Sequence, residues 1–142
     1  MYRYNVINSD HVGLHDCRAN KISWDGKILS FYFPDGIWTW EVGDAAKTEE
    51  AQVDFEMVDR EIDDVDIFLF KENRSGKVIR EEWGLKNFID AVNNGIFELE
   101  FLYKYQGYQS ILYKCCVWFE RKPYHHECEI IIHTENMICR WN

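Results

Sequence analysis

Four consecutive residues near the start of the chain, His15, Asp16, Cys17 and Arg18, offer an imidazole, a carboxylate, a thiol and a guanidinium. Along an extended strand side chains alternate between faces, so His15 and Cys17 share one face with Ala19, and Asp16 and Arg18 share the other with Asn20. An imidazole two residues from a thiol on the same face can lower the thiol pKa, which is what nucleophilic catalysis requires. Arg18 adds a planar fork suited to a carboxylate or phosphate. His15, Asp16 and Arg18 therefore outline a polar pocket for a small ligand or substrate. The plainer expectation is a solvated strand face held by an Asp16–Arg18 contact.

A second group lies at Tyr124, His125, His126, Glu127 and Cys128, with His133 beyond it. These are zinc-ligand types, but His126 and Cys128 fall on one strand face and His125, Glu127 and His133 on the other. Neither a C-x₂-C nor an H-E-x-x-H spacing is present, so no metal and no cofactor is expected. The five cysteines are an odd set without the spacing of a secreted disulfide framework. Cys115 and Cys116 are neighbours that point to opposite faces of a strand. Reduced, packed thiols in a cytoplasm are the expectation for all five. Phe31, Phe33, Trp38 and Trp40 form an aromatic row that a hairpin at Asp35-Gly36 would bring face to face, as core or as a binding surface.

The acids are unevenly spread. Glu49, Glu50, Asp54, Glu56, Asp59, Glu61, Asp63, Asp64 and Asp66 crowd into one stretch that holds a single arginine, Arg60. Alternation puts Asp54 and Glu56 on an outward strand face, beside a turn carrying the acids from Asp59 to Asp66. The set Asp54, Glu56, Asp59, Glu61, Asp63, Asp64 and Asp66 is the expected docking face for a basic partner. The alternative use of such a face is to keep a sheet edge from aggregating. The Asp63-Asp64 pair lacks the calcium-loop spacing.

The elements that must carry these groups are mostly strands. Phe97, Leu99, Phe101, Tyr103 and Tyr105 alternate with Glu98, Glu100 and Lys104, and Val53, Phe55 and Met57 alternate with Asp54 and Glu56. Ile111, Tyr113, Cys115, Val117 and Phe119 form one face of a strand whose other face, with Leu112 and Trp118, is also partly apolar, which predicts a central position. Asp25-Gly26, Asp35-Gly36, Ser75-Gly76, Gln106-Gly107, Lys122-Pro123 and Glu135-Asn136 punctuate the strands as turns. Leu85, Phe88, Ile89 and Val92 instead recur at helical spacing and are followed by Asn93-Asn94-Gly95, which predicts one helix over about 84–94 with a glycine C-cap. Residues 43–50 read as an exposed loop. The expected fold is mainly β or α+β: a strongly curved antiparallel sheet, β-sandwich or half-barrel of about ten strands with that helix.

The 142 residues suit one domain spanning 1–142, and aromatics at 16% favour pleated, half-buried surfaces. Lysine and arginine number 16 against 25 acids, a formal net charge of −9. That field disfavours nucleic acid and favours basic protein partners. The first residues lack a signal-peptide pattern and no apolar run approaches the ~20 residues of a bilayer span, so a cytoplasmic protein without membrane contact is expected. Unpaired strand edges could also support a homo-oligomer.

The segment His15-Asp16-Cys17, followed by residues 29–33 and by Asp35-Gly36-x-Trp38, resembles small bacterial β-rich proteins of the immunity type. The resemblance implies binding to a toxin, through an acidic surface where the toxin is a basic nuclease. The resulting expectation is a non-enzymatic intracellular protein-binding domain. The competing expectation is a small-ligand-binding or enzymatic β-domain built around His15 and Arg18.

Overall fold

The computed structural model describes residues 2–5, 11–40, 43–58 and 65–141. Among these residues fourteen strands and one helix form three antiparallel sheets. The five-stranded sheet runs β1 (Tyr2–Asn5), β14 (Thr134–Trp141), β8 (Ala51–Met57), β5 (Ile28–Phe33), β4 (Lys21–Trp24). The six-stranded sheet runs β10 (Val78–Trp83), β9 (Val65–Glu72), β13 (His125–Ile132), β12 (Ser110–Trp118), β11 (Glu98–Gly107), β3 (Cys17–Ala19). A small third sheet joins β2 (Val12–Gly13), β6 (Trp38–Thr39) and β7 (Ala46–Lys47). The β-rich, one-helix architecture expected from periodicity is the one observed, as a sandwich-like pair of sheets. The additional strands β1, β2 and β7 are two to four residues long, too short to leave a readable period.

Aromatic rings hold the two large sheets together. Phe31 of β5 meets Phe101 of β11 edge-on at 5.2 Å, and Phe55 of β8 meets Tyr113 of β12 at 6.0 Å. Tyr113 also sits edge-on to Phe101 at 5.0 Å. Its buried hydroxyl has Met137 Sδ of β14 at 3.7 Å as partner. Edge-to-face rings of this kind fill the layer between sheets and contribute beyond their buried area.

Two local rules decide where the strands depart from simple alternation. In β11 the register jumps between Phe101, opposite Cys115, and Tyr103, opposite Lys114, so Leu102 is an extra residue. A one-residue bulge moves every later side chain to the other face. Tyr103 and Tyr105, expected beside Phe101 in the core, therefore emerge outward with 58% and 56% exposure. At Asp35-Gly36 the chain turns but makes no hairpin: β6 pairs with β2 and β7 rather than with β5. Gly36 has φ +83°, and a Cβ there would lie 2.1 Å from the Thr48 carbonyl oxygen, so the turn sits hard against the backbone between β7 and β8. The aromatic row is consequently divided. Phe31 and Phe33 are core, whereas Trp38 and Trp40 are half-buried beside the small sheet. The segment expected as the loop 43–50 contains β7.

The helix α1 (Leu85–Asn93) buries Phe88, Ala91 and Val92. It ends as the glycine pattern predicts: the Gly95 N–H donates to the Val92 carbonyl and the Ile96 N–H to the Ala91 carbonyl, with Gly95 at φ +70°. The helix lies against β4, the edge of the five-stranded sheet. Asn93 donates from Nδ2 to the Ile22 carbonyl at 2.9 Å and accepts the Ile22 N–H at 2.8 Å, standing in for a missing strand. No helix among the described residues is long and apolar enough to cross a membrane.

Candidate functional site

His15 and Arg18 do not line one pocket: His15 borders a small hollow and Arg18 a separate one of about 440 Å³ with Asn93, Phe97 and Trp118. His15 and Asp16 occupy a turn ahead of β3, with Asp16 in the left-handed region at φ 60°, anchored by its N–H to the Phe101 carbonyl at 2.8 Å. His15 Nδ1 bonds the Leu102 carbonyl, its Nε2 lies 3.3 Å from Asp16 Oδ2, and its ring lies 5.3 Å from Tyr103. The hollow beside it holds about 130 Å³, below the size of small-molecule sites. Arg18 points to the outer face of the six-stranded sheet, bonded to Glu98 at 2.9 Å and lying 5.0 Å over Trp118. Asp16 is paired with His15, not with Arg18. His15 and Arg18 thus serve different surfaces.

Nor does His15 activate Cys17. The Cys17 Sγ contacts the His15 backbone carbonyl at 3.5 Å, and burial pushes its pKa up, only partly countered by Lys47. All five cysteines are free and buried. Burial raises the thiol pKa of Cys115, Cys116 and Cys128, and takes that of Cys139 up to about 12. On β13, His126 and Cys128 face inward, while His125 stacks 5.0 Å from Trp118 on the outer side. His133 lies 3.7 Å from Asp66. Among the described residues no three His, Cys, Asp or Glu side chains come together as a metal site.

The acidic stretch does not act as one described face. Asp59, Glu61, Asp63 and Asp64 lie outside the described residues. Asp54 shares a strand face with Gln52 and Glu56, as alternation requires, yet it is only 4% exposed. β8 is central, and its neighbours close over the carboxylate. Arg140 Nη2 of β14 lies 2.7 Å away, Ser30 of β5 donates at 2.6 Å and Gln52 at 2.8 Å. Asp54 is thus a buried, neutralised link and not an outward docking charge. Glu56 pairs with Lys27 at 3.3 Å on the same sheet. Asp66 belongs to the other sheet, opposite Ile131.

What the fold does assemble is the outer face of the six-stranded sheet. Register places Arg18, Glu100, Cys116, Glu127, Phe70 and Arg80 in one row across six strands. The next row holds Tyr103, Lys114, Glu129, Phe68 and Glu82, and beyond it lie Tyr105, Leu112, Ile131 and Asp66. Phe68, Phe70, Leu112, Trp118 and Ile131 are all half-buried there. Charged groups lean over them: Arg80 lies 4.4 Å from the Phe68 ring, Lys114 pairs with Glu129 at 3.1 Å, and Trp118 Nε1–H donates to Glu100 at 3.2 Å. Carboxylates outnumber cations on this face. Large apolar side chains half-open to water within a charged rim are the make-up of a protein interface.

The sequence carried a signal for this face. Consecutive apolar residues, 67–70 in β9 and 130–132 in β13, leave no polar side to a strand, so their sheet is apolar on both faces. Comparison with protein-family models, with curated proteins and with solved structures finds no match to this chain.

Proposed function

We propose that the chain is a non-enzymatic, cytoplasmic protein-binding domain that docks a basic partner, in the manner of an immunity protein neutralising a toxin. The observation that carries this reading is the outer face of the six-stranded sheet. Phe68, Phe70, Leu112, Trp118 and Ile131 lie half-exposed across its strands, and Tyr103 and Tyr105 are turned out beside them by the Leu102 bulge. A solvated sheet face in a lone domain is expected to be polar; this one holds the Trp and Tyr anchors of interface hot spots. Glu82, Glu98, Glu100, Glu127 and Glu129 against Arg18, Arg80 and Lys114 give it the sign that steers a basic partner. Five free thiols suit a reducing compartment.

The test is site-specific photo-crosslinking in the source cells. A benzophenone side chain placed at Phe70 or Leu112 is expected to join the chain to one basic protein. The same group at Tyr32, on the outer face of the five-stranded sheet, is expected to give no such adduct. Adducts at Tyr32 alone, or none from the six-stranded sheet, would reject the reading.

A further inference from the structure

Behind the docking face, on the inner side of the same sheet, a second aromatic cluster lies between α1, β9, β13 and the chain after β12. Trp83, Phe88, Phe97 and Phe119 form a chain of ring contacts, from Trp83 to Phe97 at 5.9 Å and from Phe97 to Phe119 at 5.5 Å. Register sets Leu99, Val117 and His126 in one inner row, and beside His126 the core gives way to polar groups such as Lys71. The rings do not close the space. Between them and the loop 120–123 is a hollow of about 540 Å³, within the range of small-molecule sites.

The polar groups around it are unequally engaged. Lys71 Nζ lies 3.0 Å from both carboxylate oxygens of Glu81, which also accepts the Trp83 Nε1–H at 2.7 Å, so the Lys71 charge is already paired. Arg121 and Lys122 line the mouth with no ion pair to any described residue, opposed there by Glu120 alone. His126 touches Phe119 at 5.6 Å, and neither of its ring nitrogens is hydrogen-bonded to a described residue. Burial and the Lys71 charge push the His126 pKa down, which keeps the imidazole neutral with one nitrogen donating and the other accepting. In a chain of net charge −9, an apolar hollow with surplus cations at its mouth is a local reversal of sign.

We propose that this hollow binds a small aromatic carboxylate, its ring against Trp83, Phe97 and Phe119 and its carboxylate toward Arg121, Lys122 and the His126 edge. Aromatic walls supply the affinity and the few convergent polar groups fix the orientation. The site is separate from the docking face, so either can fail without the other.

The test uses the full-length chain, labelled with ¹⁵N, and naphthalene-2-carboxylate as probe. Saturable shifts are expected at the Trp83 indole N–H and at the amides of residues 95–97 and 119–122. 2-Naphthylmethylamine, equal in ring but opposite in charge, is expected to bind about tenfold more weakly, a difference of one charged contact. Arg121→Ala with Lys122→Ala should remove that difference. Ile96→Asp, at a 60% exposed position on the rim, should weaken the carboxylate without disturbing the core. Binding of both probes with equal strength, or no shift at these positions up to the solubility of the carboxylate, would overturn the proposal.

Discussion

At the scale of single residues, burial decides the chemistry of the ionisable groups more than their neighbours in sequence do. Cys139 is fully buried and its thiol pKa is pushed up to about 12, from an ordinary value near 9.0. In the unfolded chain the same thiol ionises near 9, so between those values the folded state binds the extra proton. Stability is then unaffected at neutral pH and is lost as pH rises, by about 1.4 kcal/mol per pH unit for such a group. Urea unfolding followed from pH 8 to pH 10.5 should show this fall, and Cys139→Val should make it shallower by that one thiol's share while the other buried thiols keep theirs; an unchanged slope in the variant would contradict the assignment. The same dependence on surroundings explains what was hidden at Asp54. Alternation gives its face correctly, but its burial comes from Arg140 and Ser30, which are distant in sequence and arrive on flanking strands. The Cys17 thiol is a parallel case: spacing placed an imidazole beside it, whereas the turn at Asp16 presents it with the His15 carbonyl instead.

At the scale of elements, regular periods were legible and interruptions were not. The helix stands over Leu85–Asn93 with its glycine cap, because an apolar spacing of three and four followed by Asn-Asn-Gly has one good local solution. The bulge at Leu102 leaves no such mark, since Tyr103 and Tyr105 continue the same alternation on paper. The turn at Asp35-Gly36 was legible as a turn, but its pairing depends on which edge, β2 or β5, the following residues meet. Edge protection is equally non-local. Asn93 completes the hydrogen bonding of Ile22 from seventy-one residues away. Asn93→Ala should leave that strand edge unpaired and cost about 1–2 kcal/mol, two neutral hydrogen bonds. Hydrogen exchange should show the Ile22 amide opening faster in the variant, with the amides of β12 unchanged; an unchanged Ile22 amide would count against the role given to Asn93.

At the scale of the whole molecule, two sheets share one core and present different outer faces. The face of the five-stranded sheet is more polar: Tyr32, Gln52, Asp54, Glu56 and Arg140 are bonded to one another or to close neighbours, with half-buried Ile28 and Ile138 among them. The face of the six-stranded sheet carries half-buried rings under a mostly acidic rim. Acidity was readable from composition as a preference for basic partners, but of the described acids in its densest stretch Asp54 and Glu56 belong to the five-stranded sheet and Asp66 to the six-stranded one. The contrast between these faces gives the most direct measurement. With the crosslinked partner in hand, its affinity is compared for the unaltered chain, Phe70→Ala and Tyr32→Ala, all checked for equal unfolding midpoints. A docking role for the six-stranded face predicts that Phe70→Ala weakens binding by about thirtyfold, an interface hot spot of about 2 kcal/mol, and that Tyr32→Ala leaves it unchanged. Full affinity in Phe70→Ala, or its loss in Tyr32→Ala, would contradict it.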